Sequence, residues 1–164
     1  MAGRETPATR IARQAGVAVT VHEYVRHDEG GATSGAGYGA EAAAALGIAA
    51  DRVLKTLVID LAGALAVGVV PVAGQLDLKA VAAALGGKHA QLADPAAAER
   101  ATGYVRGGIS PLGQRRRLPT VIDSSALEHP TVFVSAGRRG LEIEIVPQDL
   151  VRLTGAAVAA VCRR

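Results

Sequence analysis

Lys55 is the residue whose neighbours make it most unusual. In Arg52-Val53-Leu54-Lys55-Thr56-Leu57-Val58-Ile59 the alternation puts Val53, Lys55, Leu57 and Ile59 on one face of a strand. An ammonium among three apolar side chains is costly unless it is paired or its pKa shifts. Such a lysine implies a cleft where it meets an anionic or carbonyl group. The alternative is an edge-strand lysine whose head reaches water along its stem. Candidate chemistry therefore starts on this strand.

A second concentration runs from Gly103 to Asp123, with four glycines, two prolines and four arginines. Gly107-Gly108 lacks Cβ atoms, so its backbone can approach a ligand closely and offer N–H groups to it. Ser110 precedes Pro111, which favours an extended backbone with the serine hydroxyl and N–H left free. Arg115, Arg116 and Arg117 follow as an unbroken cationic run. Together they suggest a pocket for a polar group with a polyanion passing its mouth. A tight surface turn followed by a solvated basic loop fits the same letters.

Tyr24 and Tyr38 flank a glycine-rich stretch with Gly30, Gly31, Gly35 and Gly37, and as a pair they suggest pocket walls. Ser135 closes a strand just before Gly137-Arg138-Arg139-Gly140, where a hydroxyl can reach a ligand. Other patterns fail. Gly86-Gly87-Lys88-His89 lacks the upstream glycine and the following Ser or Thr of a phosphate loop. His22, His27, His89 and His129 have no metal-ligand spacing and read as surface or strand histidines. Glu142 and Glu144 share a strand face and read as partnered surface carboxylates rather than an acid/base pair. Neither a nucleophile nor a general base is evident, and no cofactor or metal is expected.

The elements that position these residues follow from punctuation and period. Thr6-Pro7 opens a helix to about Ala15, and Val17 to Val25 alternates as a strand. A helix spans about Tyr38 to Leu46, before Gly47. Val53–Leu61 and Ala64–Val72 form a hairpin turning at Ala62-Gly63. Asp77 and Asp94 cap helices that end at Gly86-Gly87 and Gly103. A strand near 120–123, a single turn at 124–128, a hairpin of 131–136 with 141–146, and a helix from Pro147 to Leu153 complete the order. Hairpins mixed with helices, without repeat or long linker, predict one α+β domain over residues 1–164 on a mixed, mostly antiparallel sheet.

The totals agree. The 164 residues are 49% hydrophobic but only 2% aromatic, so Val, Leu, Ile and Ala must build the core. A net charge of +3 suits an anionic partner without requiring one. The single cysteine, Cys162, excludes an internal disulfide and points to a reducing compartment. No apolar run suits a signal peptide or a bilayer span, so a cytoplasmic protein without a membrane partner is expected.

Read together, these blocks resemble the YbaK/EbsC family of aminoacyl-tRNA deacylases. The resemblance rests on Gly103 to Gly113, Pro119-Thr120-Val121-Ile122-Asp123, Arg52 to Val58, Val134 to Leu141 and Pro147-Gln148-Asp149-Leu150. His22, Tyr24 and Tyr38 to Ala43 add to it. It implies a curved, partly closed barrel with flanking helices. It also implies a free-standing editing enzyme that removes cysteine from proline tRNA and works beside prolyl-tRNA synthetase. Alanine- or serine-charged tRNA as substrate, or a non-catalytic module that binds aminoacyl-tRNA, are the alternatives. By position, Lys55 would contact the aminoacyl-adenosine end. Tyr24, Tyr38, Thr56, Ile109, Ser110, Pro111 and Ser135 would line the pocket, and the backbone of Gly107 and Gly108 would stabilise an oxyanion. Arg115, Arg116, Arg117, Arg138 and Arg139 would meet acceptor-stem phosphates. The resemblance also implies that the substrate thiol attacks its own carbonyl, which would account for the missing nucleophile. Tyr38 and Leu54 stand where the family more often has phenylalanine.

Overall fold

The computed structural model describes residues 4–25 and 37–164. Gly30, Gly31 and Gly35 of the glycine-rich stretch between Tyr24 and Tyr38, and His27, lie outside them. Helix α1 (Pro7–Gln14) is opened by a reciprocal cap between Thr6 and Thr9 with proline in its first turn. Strand β1 (Thr20–Glu23) follows and is shorter than the 17–25 alternation predicts. Val17, Val19 and Val21 nevertheless pack on the core as that alternation requires. Helix α2 (Gly37–Leu46) leads to the hairpin of β2 (Leu54–Leu61) and β3 (Ala64–Pro71). Its turn places Ala62 at φ 53° and Gly63 at φ 100°. Two left-handed residues in a two-residue loop match the right-handed twist of the arms.

Beyond it come β4 (Gln75–Leu76), α3 (Leu78–Ala84), β5 (Ala90–Leu92) and α4 (Pro95–Thr102). Then follow β6 (Thr120–Asp123), a 3₁₀ turn at Ser124–Glu128, β7 (Val132–Arg138) and β8 (Leu141–Ile145). Helix α5 (Pro147–Thr154), β9 (Ala157–Ala159) and β10 (Cys162–Arg163) complete the chain. The strands β4, β9 and β10 escape sequence reading because two or three residues cannot display a period.

The strands form three sheets, ordered β5-β2-β3-β6-β9, β1-β8-β7 and β10-β4. β3 with β6 and β6 with β9 are parallel, while the other neighbours are antiparallel. The architecture is α+β on mixed sheets, as expected, and the sheets do not close into a complete barrel. Their meeting point shows why. β2 and β7 touch through one parallel bridge, Val53 with Phe133, where the Phe133 N–H donates to the Arg52 carbonyl at 2.8 Å. Past that bridge β2 pairs with β3 along its whole length, and no ladder to β7 continues.

The two faces of the hairpin feed separate cores. Val58, Val67 and Val69 join Ile122, Val134, Ile143 and Leu150 on one side. Ile59, Ala66 and Val70 join Leu76, Val81, Val121 and Val161 on the other. A small third cluster of Ala42, Ala43, Val53 and Phe133 seats α2 against the corner where the sheets meet. Burial of aliphatic surface, at about 25 cal/mol per Å², is the main force holding this arrangement.

Candidate active site

Where β2 leaves β7, one edge of the strand lies open. The Val53 carbonyl accepts from the Val72 N–H at 2.8 Å, which fixes the alternation of the antiparallel ladder. Backbone groups of Val53, Lys55, Leu57 and Ile59 therefore turn to β3, and those of Thr56 and Val58 turn away. The Val58 carbonyl meets the Ala93 N–H at 3.0 Å, and β5 covers only Ile59–Leu61. The backbone of Thr56 faces a cavity of about 450 Å³.

The cavity takes its walls from several elements. Leu54 to Val58 supply the strand edge, while Ala93 comes from the segment before α4 and Pro95, Ala98 and Glu99 from α4 itself. Arg106, Gly107 and Ile109 bring the loop that follows α4, and Ser135 and Glu142 come from β7 and β8. Tyr24 and Tyr38 close the remaining side. The Tyr38 ring carries the Arg139 guanidinium 4.6 Å above its centre. Arg139 also makes two 3.1 Å hydrogen bonds to the Glu41 carboxylate, fastening α2 to the β7–β8 turn.

Gly107 and Gly108 are needed for different reasons. Gly107 has φ 90°, and a Cβ there would lie 3.1 Å from the Tyr38 ring. Among the described residues its N–H has no partner. Gly108 packs its backbone against that of the β7–β8 turn, so that a Cβ would come within 2.8 Å of the Arg138 Cα. Its N–H donates to the Val105 carbonyl at 2.9 Å, and it does not line the cavity.

Polar groups of the cavity are poorly partnered. Thr56 Oγ1 is buried without a hydrogen bond. Burial lowers the Lys55 pKa, a shift partly opposed by the nearby Cys162. Burial likewise raises the Tyr24 phenol, and the Glu142 charge adds to that rise. The Ser135 hydroxyl accepts the Gly137 N–H at 3.1 Å.

Glu142 is the residue that sequence reading misplaces. Its companion Glu144 has the expected partners, His22 at 2.9 Å and Thr131 at 2.6 Å, which hold its pKa down. Glu142 is 6% exposed, and no group among the described residues hydrogen-bonds to it. Burial pushes its carboxyl up to about 8. The register supplies the reason: Glu142 lies directly opposite Ser135 and His22, on the sheet face that looks into the cavity. Only its charge amid alternating apolar residues could have signalled this.

The cavity thus gathers Lys55, Thr56, Tyr24, Tyr38, Gly107, Ile109 and Ser135. Ser110 and Pro111 are buried away from it. The Ser110 hydroxyl, expected to be free, instead accepts the Leu112 N–H at 3.2 Å and so shapes the loop. Arg115, Arg116, Arg117 and Arg138 are exposed outside the cavity, and Arg139 is held by Glu41. Among the described residues no group of His, Cys, Asp or Glu is arranged to hold a metal ion. None of the described helices is long and apolar enough to cross a membrane.

Residues 34–153 match the family model of the aminoacyl-tRNA editing domain. The chain belongs to the aminoacyl-tRNA editing family. Its reaction class is accordingly deacylation of aminoacyl-tRNA. A relative from Enterococcus faecalis, named as the Cys-tRNA(Pro)/Cys-tRNA(Cys) deacylase EbsC, is 38% identical over 120 residues, 73% of each chain. Among solved structures, the hypothetical protein APE2540 superposes with a TM-score of 0.82 at 28% identity, over 96% of this chain and 100% of the other. A protein described as a trans-editing enzyme for prolyl tRNA synthetase superposes at 0.77 and 25% identity, over 98% and 99% of the two chains.

Proposed function

We propose that this editing domain acts in trans, in the cytoplasm, on proline tRNA mischarged with cysteine. The relative's named substrate and the structural neighbour's described role support that choice. The observation that carries the reading is the open edge of β2 at Thr56, which lines one cavity together with Lys55 and with Gly107 of the loop after α4. The terminal adenosine enters between the tyrosines, with Lys55 near its polar edge. The ester carbonyl lies between the Thr56 edge and the Gly107 N–H, whose unused donors suit the oxygen as it gains charge. The substrate thiol then attacks its own carbonyl. It forms the new C–S bond as the C–O bond to the ribose breaks, with the thiol proton going to the leaving hydroxyl. The chain supplies orientation and oxyanion stabilisation, which suffice for an already activated ester. Gly108, with its N–H committed, serves as a packing residue. Prolyl-tRNA synthetase is the expected source of the substrate.

The test is single-turnover hydrolysis of proline tRNA charged in turn with cysteine, alanine or serine. Selective loss of cysteine with release of a cyclic thiolactone is expected. Equal loss of all three would sink the thiol-assisted route, since neither alanine nor serine carries a thiol.

A further inference from the structure

We propose that Glu142 receives the α-ammonium of the esterified amino acid, so that the pocket requires a free amine and refuses N-blocked aminoacyl esters. The inference rests on the deacylase reading for its ligand, but its observations are separate. Glu142 is among the most buried charged side chains of the described residues, lies in the cavity wall and has no hydrogen-bond partner. Burial alone raises its titration, and among the described residues no cation pairs with it. The cations near the cavity have other surroundings. Arg139 is engaged by Glu41, Arg106 is exposed at the rim, and Lys55 feels burial and Cys162.

A buried carboxyl without a counterion loses stability unless it is neutralised or paired. Among the described residues that partner is missing, and a cation entering through the cavity supplies it. Aminoacyl esters carry one such cation next to the reacting carbonyl, whatever the side chain. Glu142 lines the same cavity as Thr56 and Gly107, so it can hold that ammonium while the carbonyl meets those two. Acetylating the amine removes its charge and adds bulk at the one wall that cannot accept either. A growing peptide on the same tRNA would be excluded in the same way, which separates mischarged tRNA from peptidyl-tRNA.

Two measurements on the full chain test this. The first is single-turnover hydrolysis of cysteinyl-tRNA(Pro) and its N-acetylated form. The second is affinity for two non-hydrolysable analogues, 3′-cysteinylamino-adenosine and its N-acetyl derivative. The wild type should favour the free amine by about tenfold or more in both, the scale of one charge-assisted hydrogen bond. Glu142→Gln, nearly the same shape, should bring both ratios close to one while the melting temperature is kept. Equal handling of free and blocked amines by the wild type overturns the inference, as does a preference that survives Glu142→Gln. Should the wild type cleave neither ester yet bind the free-amine analogue more tightly in a Glu142-dependent way, the inference holds and the deacylase reading falls.

Discussion

Two side chains of the cavity lining cost the fold stability, and each cost can be measured. Thr56 Oγ1 is buried without a partner, a state that costs about 1–3 kcal/mol in a protein interior. Thr56→Val keeps the shape and removes the orphan. It should raise stability by about 1 kcal/mol in denaturant melts and leave single-turnover deacylation nearly unchanged, because the backbone N–H at the open edge is kept. A less stable variant would mean the hydroxyl is satisfied some other way, and a large loss of turnover would mean that the hydroxyl itself meets the substrate. Glu142 gives a pH signature. Its carboxyl titrates at about 8 in the folded chain against an ordinary 4.5, so between those values the folded state holds a proton that the unfolded state releases. Stability must therefore fall as pH rises through that window and level off above 8. Tyr24, raised, and Glu144, lowered, titrate outside the window. Glu142→Gln should remove most of the decline, leaving the variant the more stable protein at pH 9 and nearly equal at pH 5.

At the scale of elements, the cavity exists because β2 is paired on one side only above Ile59. Its loop wall is set by Gly107 at φ 90°, against the Tyr38 ring. Gly107→Ala strains the backbone and pushes on that ring. Turnover should drop about a hundredfold, since a displacement of roughly 1 Å at a reacting centre costs that much, with only a modest change in melting temperature. A fully active Gly107→Ala would show that the loop is not the oxyanion wall. The sequence marks these elements well where local chemistry decides them. Thr6, Asp77 and Asp94 cap their helices, and Ala62-Gly63 turns the hairpin. It fails where partners decide. The committed N–H of Gly108 and the inward-turned Ser110 depend on contacts with Val105 and Leu112. The burial of Glu142 depends on which sheet face the cavity occupies.

For the molecule as a whole, α+β architecture was legible from hairpins mixed with helices, and a core without many aromatics is what the composition demands. The separation into open sheets was not legible. It hinges on a single bridge between Val53 and Phe133, 80 residues apart in the chain and invisible to any local period. Charge is the other global property. Arg115, Arg116 and Arg117 are exposed, with the backbone of the first two tied to the end of α4 through the Thr102 and Ala101 carbonyls. That anchoring fixes the run to the end of α4, the helix whose Pro95, Ala98 and Glu99 line the cavity. Replacing all three with alanine should weaken tRNA binding at low salt and reduce the slope of log affinity against log salt by about 1–2, with hydrolysis of a short aminoacyl-adenosine unaffected. An unchanged slope would assign the run to solvent.

The central claim is that the open edge of β2 is where the ester is cleaved, and Lys55 tests it most directly. Cysteine release from proline tRNA should be followed in a single turnover by the wild type and by Lys55→Ala. The wild type should release the cysteine, and the variant should do so about a hundredfold more slowly with its melting temperature preserved, because removing a half-buried ammonium relieves a desolvation cost. Undiminished release by a folded Lys55→Ala would place the chemistry elsewhere on the molecule.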